Sequence, residues 1–371
     1  MQIIQQHLLG YPLFIQIALV MIVFSICLFF LVNALLAFER MSSSYRDMRI
    51  KVANRLVNTE LTENLMLQDQ LSESAFKQLT ARINHITLEN KLVKQVVIDQ
   101  IIFYHKNFTD STERLLNILF GRLNLIESAI KKVKHGKWEL KAKGLREIQE
   151  MQTDSTMSEL IDPLLNTKNH DLRIEAQAAF LRLNKADPFA FLSNASEELL
   201  EWHQIILYEI ITNSPELSRP DIVPFLNSTN ESVVSFSIKL VVYYQMLDVT
   251  PVLIQLMNHP AEKIKKEAIT ALGNLNVQAA ESDMIAKYPT ESLKVQLRLL
   301  TAIGNIGSGK SFDFLKEQFL QSEDFFIIKV AGCALAIYPL FDKEKLLAEA
   351  VGLSPLHYKI IEHCTNTLIR N

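Results

Sequence analysis

The chain is poor in the residues that interrupt helices. It has 10 glycines and 11 prolines in 371 residues. The prolines gather where helices would meet, at Pro163, Pro188, Pro220, Pro251, Pro260 and Pro289, which favours an all-helical chain. Cysteine is scarcer still, with Cys27, Cys333 and Cys364 making up the three. None has CxxC or Cys/His ligand spacing, so neither a disulfide framework nor a zinc site is expected, and reduced buried thiols are the simpler reading. Histidines at 85, 105, 135, 170, 203, 259, 357 and 363 lack metal spacing. There is no G-x-S-x-G elbow, and no carboxylate pair has a spacing that suggests acid–base work. The expectation is no cofactor, no metal and no enzyme. A basic excess is missing too: the formal net charge is −3, which speaks against nucleic acid as a partner. With 49% hydrophobic and 21% charged residues, the chain is not disordered.

What is present is a period. From about residue 137 onward a helical pattern recurs roughly every 31 residues. The copies run Leu172, Ala176, Phe180, Leu183; Val233, Ser237, Val241, Tyr244; Ile264, Ala268, Leu272, Leu275; and Val295, Leu299, Ile303, Ile306. Ile327, Ala331 and Leu335 form a looser copy, and Trp202, Ile206 and Ile210 fall where another belongs. A unit of this length, short helix, turn, longer helix, is the signature of an α-solenoid. The fold class expected is all-α, with the repeat array over 137–371.

Two segments precede the array. Residues 13–38 form an apolar run with no charge, whose only polar side chains are Gln16, Ser25 and Asn33. As a helix of 26 residues it would be roughly 39 Å long, enough to span a hydrocarbon core of about 30 Å. Residues 1–12 hold no Lys or Arg and the run is long for a signal peptide, so a retained anchor is expected. Arg40, Arg46, Arg49, Lys51 and Arg55 follow the run. The positive-inside rule then places the N-terminus outside and the repeats in the cytoplasm. Residues 41–136 read as a helical membrane-proximal segment, with one helix over 72–106 and another over about 111–134. The basic stretch from Lys131 to Lys137 suits a helix C-terminus or, as an alternative, an anionic group.

The repeat residues, above all Ala268-Ile-Thr-Ala-Leu-Gly-Asn-Leu and Leu299-Leu-Thr-Ala-Ile-Gly-Asn-Ile, resemble HEAT repeats of the short bacterial kind. The order of anchor, helical block ending at 140–151, and repeats resembles membrane-anchored bacterial HEAT proteins encoded beside family-2 glycosyltransferases. That resemblance implies a bacterial inner-membrane scaffold, with a membrane glycosyltransferase of cell-surface polysaccharide synthesis as protein partner. Homo-oligomerisation is left open.

One motif competes with this reading. Gly304-Asn-Ile-Gly-Ser-Gly309-Lys310-Ser311 satisfies G-x-x-x-x-G-K-[ST], a phosphate-binding loop. Such a loop needs a buried strand before it. Here the preceding residues have helical spacing, and Gly304 aligns with Gly273 one repeat earlier, where no Lys-Ser follows. A structural turn is the preferred reading, with a nucleotide site as the alternative. A lyase of the pigment-attachment kind, also built on such repeats, has only the repeat in its favour. For docking a partner, the residues one past the motif positions are the candidates: Arg173, Gln177, His203, Lys265 and Gln296. In the adjacent aromatic pairs Trp202-His203, Tyr243-Tyr244 and Phe325-Phe326, one member is expected inside and the other outside.

Overall fold

The computed structural model describes residues 12–62, 73–88, 91–108, 111–151, 158–338, 342, 344, 346 and 355–366. Among them there are helices and turns and no strand. Two compact units divide the chain, residues 1–136 with 146–152, and residues 137–145 with 153–371.

The N-terminal unit begins with α1, Leu13–Leu61, a single helix of 49 residues. It contains the one stretch among the described residues that is long and apolar enough to cross a membrane, and none of that stretch is buried. Two polar side chains of that stretch bond within the helix: Ser25 Oγ donates to Met21 O at 2.8 Å and Asn33 Nδ2 to Phe29 O at 2.8 Å. Such internal pairing is what apolar surroundings demand of a polar group. The helix runs on through the basic cluster until Ala53, Val57 and Leu61 are buried.

Next come α2, Glu73–Leu88; α3, Lys91–Asn107; α4, Ser111–Arg122; α5, Leu125–His135; and α6, Trp138–Glu150, which spans the unit boundary. The single helix expected over 72–106 is thus two. In one rod Leu79 and Ile101 would lie about 33 Å apart, yet both enter the same core cluster with Val57, Leu61 and Leu119. The helix expected over 111–134 is also two. It breaks at Asn124, whose φ of 49° is left-handed, a conformation asparagine tolerates better than most residues. Lys132, expected at a solvated helix end, turns inward. Its Nζ donates to both Glu147 oxygens at 2.6 and 2.7 Å, and Gln95 Nε2 donates to Glu147 Oε1 at 2.8 Å. The Glu147 side chain is 3% exposed, so α3, α5 and α6 share a buried ion pair.

The repeat array alternates short and long helices. In chain order they are α7, Ser158–Ile161, with α8, His170–Leu183; α9, Glu201–Thr212, preceded by the 3-10 turn Ala190–Leu192; α10, Val223–Leu226, with α11, Glu231–Tyr243; α12, Thr250–Leu256, with α13, Glu262–Asn274; α14, Glu281–Lys287, with α15, Leu293–Ile306; α16, Phe312–Gln321, with α17, Phe325–Ile337; and α18, Pro355–Thr365. Local chemistry sets the helix starts. Asn169, Asn230 and Asp324 accept bonds from first-turn amides of α8, α11 and α17, the N-cap role of these short polar side chains. Pro224 and Pro251 stand in the first turn of α10 and α12, where the missing N–H costs nothing.

Helix ends repeat as well. Gln245, Asn276 and Gly307 all take positive φ, at 52°, 53° and 58°, and they stand one period apart. Met246 N bonds to Val241 O and Val277 N to Leu272 O, both at 3.0 Å, the closing bond of a left-handed helix terminus.

Successive long helices pack closely. A Cβ built on Gly273 would lie 2.8 Å from Ala302 Cα, and one on Gly304 would lie 2.6 Å from Ala334 Cβ. Further along, Cys333 of α17 and Cys364 of α18 form a disulfide with Cα atoms 4.9 Å apart. The expectation of two reduced thiols is corrected here. Their separation of 31 residues is the repeat period, so they stand at equivalent places on neighbouring helices, in line with the buried Ala271 and Ala302.

A candidate docking groove

Along one face of the array, side chains from α9, α11, α13 and α15 line a groove of about 540 Å³. Its floor is apolar. Ile205 and Tyr208 come from α9, Ile238 and Val242 from α11, and Ala271 from α13. Ile205 is 53% exposed, and Tyr208 meets Tyr243 edge to face at 5.6 Å. The rim is basic, with Lys239, Lys263, Lys266 and Arg298 against one lining carboxylate, Glu267.

These charges are held to different degrees. Lys239 Nζ donates to Gln204 Oε1 at 2.8 Å, and Gln204 Nε2 donates to Leu199 O at 2.9 Å. Lys263 pairs with Glu201 at 3.2 Å and Lys266 with Glu262 at 3.1 Å. Bonds from Lys266 and from Ser292 Oγ hold the Glu262 carboxyl below its ordinary pKa. Arg298 is exposed. Glu267 Oε2 is buried without a hydrogen-bond partner.

The five residues expected to dock a partner are occupied elsewhere. Arg173 is 3% exposed and donates to Thr167 O at 2.7 Å. Gln177 is 2% exposed and donates to Leu165 O at 3.1 Å. Gln296 donates to Tyr288 O at 2.9 Å, and Lys265 Nζ pairs with Glu291 at 2.8 Å. His203 is 2% exposed, with its ring edge to face on His170 at 4.7 Å. Burial first, then the neighbouring His170 and Arg173 charges, push the His203 pKa down to about 4, against a smaller opposing pull from Asp171. One residue past the core positions, a side chain meets loop backbone, a loop carboxylate or the interior. The open face lies two past them: Lys239, Lys266, Thr270 and Asn274 follow Ser237, Ile264, Ala268 and Leu272 by two.

The aromatic pairs divide unevenly. Trp202 is 65% exposed beside buried His203, so the α9 pair splits as expected. Both Phe325 and Phe326 are exposed, at 46% and 55%, against the expectation of one inside.

The Gly304–Ser311 loop is not a phosphate cradle. Gly304 lies inside α15, pressed against Ala334. Gly307 and Gly309 have φ of 58° and 88°, and Gly307 ends the helix as Gln245 and Asn276 do. The Lys310 amide donates to Ser308 Oγ at 3.2 Å, and Ser308 in turn donates to Glu281. Ser311, the residue a magnesium ion would need, is fully buried, and Glu281 is 3% exposed. A buried carboxylate against the loop repels a phosphate. Lys310 is exposed.

Residues 250–336 match the family described as HEAT repeats. Among solved structures the chain is similar to Kap121p, at 13% identity and a TM-score of 0.57, over 86% of this chain and 39% of that one. The array has the fold of a HEAT-like α-solenoid. It is also similar to Kap121p bound to Nup53p (14% identity, TM-score 0.49, 80% and 37% of the two chains). A third similarity is to the CpcE–CpcF complex of phycocyanin lyase from Nostoc sp. PCC7120 (11%, 0.25, 81% and 96%). At these identities the likeness concerns the fold alone. The chain spans 39% of the length of Kap121p. No curated protein sequence matches it.

Proposed function

We propose that this protein is a membrane-anchored HEAT scaffold that docks a protein partner in the groove between α9 and α15. The observation that carries the reading is the groove itself, an apolar floor with a charged rim, with the exposed Trp202 three residues before Ile205 on α9. Large exposed aromatics next to an apolar depression are the usual anchors of protein interfaces. Anchoring rests on the uncharged apolar stretch of α1, and tethering of this kind raises the local concentration of a membrane client without any new chemistry. The resemblance in domain order supports a membrane glycosyltransferase of cell-surface polysaccharide synthesis as that client.

The test is cross-linking in native membranes followed by affinity purification and mass spectrometry, with the chain lacking residues 1–40 as control. Enrichment of one membrane enzyme, lost in the control, is the expected result. Self-cross-links and lipid alone would remove the scaffold reading.

Two observations oppose each other on the side of the membrane. The basic cluster from Arg40 to Arg55 draws the array to the cytoplasmic side. The Cys333–Cys364 disulfide favours an oxidising compartment, since cytosolic thiols are kept reduced. Thiol alkylation in intact cells, before and after reduction, decides between them. Reaction of Cys333 and Cys364 without reductant would put the array inside, whereas Cys27, which is outside the disulfide, is uninformative.

A further inference from the structure

The groove's charge says what kind of segment fits it. We infer that it binds an acidic segment of a partner protein, one carrying one or two large apolar side chains between Asp or Glu residues. This rests on the scaffold reading above and gives the partner's recognition element its chemistry.

The argument is complementarity. The chain as a whole is negative, with a formal net charge of −3, yet the groove lining carries four cations against one carboxylate. The basic character continues along α15, where Lys294 and Arg298 face the adjoining depression with Lys266. Lys263 and Lys266 already face Glu201 and Glu262, so the cations open to a partner are Lys239, Arg298 and Lys294, and an acidic segment steers toward them and fixes its register. The floor supplies the second half of the recognition. Ile205, Ile238, Val242 and the Tyr208 ring form an apolar depression at the centre of the rim, which suits a Leu, Ile or Phe side chain. Arg298, with its planar fork of donors, is suited to hold a carboxylate at two points.

The experiment is to pan a random peptide display library against the full-length protein in detergent. It is repeated on Lys266→Glu/Arg298→Glu, and on Lys185→Glu as an exposed charge reversal away from the groove. Enriched peptides should carry a net negative charge around an apolar residue, and a synthetic copy should bind the parent and Lys185→Glu alike. On the double variant its affinity should fall by at least tenfold, and raising salt should weaken the parent complex. Ile205→Asp should lose the same peptides by a second route. Enrichment of neutral or basic peptides, acidic peptides that still bind the double variant, or no enrichment at all would each overturn the inference. The scaffold reading fails separately: a client captured in membranes and released by Trp202→Ala, but indifferent to the double charge reversal, keeps the scaffold and discards the acidic groove.

Discussion

Two neighbouring stretches of the array carry opposite lessons. The loop from Gly304 to Ser311 bears a motif that announces a ligand, and the structure spends those residues on packing and helix termination. The groove bordered by Lys266 and Arg298 bears no motif, and it is the open, chemically mixed surface. A short pattern records residue types at a spacing, and in a repeat protein the same types at the same spacing serve the contact between units. Gly304 is small because Ala334 is in the way. Gly307 is a glycine because the chain turns left-handed there, as it does at Gln245 and Asn276 without the help of glycine.

Breaking the first stretch should give the largest effect. Gly304→Ala forces a Cβ into Ala334 and should destabilise the array by about 3 kcal/mol, read as a drop in the urea midpoint. Lys310→Ala in the same loop should stay within about 0.5 kcal/mol and leave nucleotide binding unchanged at nil. Equal effects from the two would revive the phosphate-loop reading. Next in size, Trp202→Ala should cost about 2 kcal/mol of client affinity while the thermal midpoint holds, and full client capture by that variant would move the docking site off α9.

His203 gives a smaller, pH-dependent effect. Its folded pKa of about 4 lies below the free value of 6.5. Above pH 6.5 both states leave it neutral and it adds no pH dependence. As pH falls from 6.5 toward 4, the unfolded chain takes the proton first and stability is lost. His203→Gln should flatten that part of the stability profile, measured by urea unfolding at pH 7 and pH 5. Smallest of all, Gln245→Gly relieves a left-handed side-chain residue and should stabilise by about 0.5–1 kcal/mol. A loss instead would mean that the Gln245 side chain matters more than its backbone.

The class of fold was legible because a long helix that must pack on both neighbours writes the same apolar spacing every period. The site was less legible, and for a geometric reason. Each step along a helix turns a side chain by about 100°, so choosing one residue past the core positions instead of two exchanges an inter-repeat clamp for the open face. That single step separates Lys265, tied to Glu291, from Lys266, on the groove rim. The α9 repeat shows a signal that was available: counting one period from Leu172 lands on His203, the buried residue, and leaves Trp202 outside. The same count joins Cys333 to Cys364, but it does so only once the helices are known to stack in register. The division between α2 and α3 had no such signal, because both helices carry apolar residues at compatible spacing and only the shared core shows that they are two.

The uninterrupted length of α1 has a mechanical consequence. A helix without a break has one axis and one rotational phase, so the angle at which Val57 and Leu61 enter the core of the N-terminal unit also fixes which way each face of residues 13–38 looks. Adding one residue between Phe38 and Ala53 would spin the apolar stretch by about 100°, whereas adding seven would return it to within about 20° of its starting orientation. The distal half of this helix therefore behaves as a shaft, and its handle is set by where the core grips the other end.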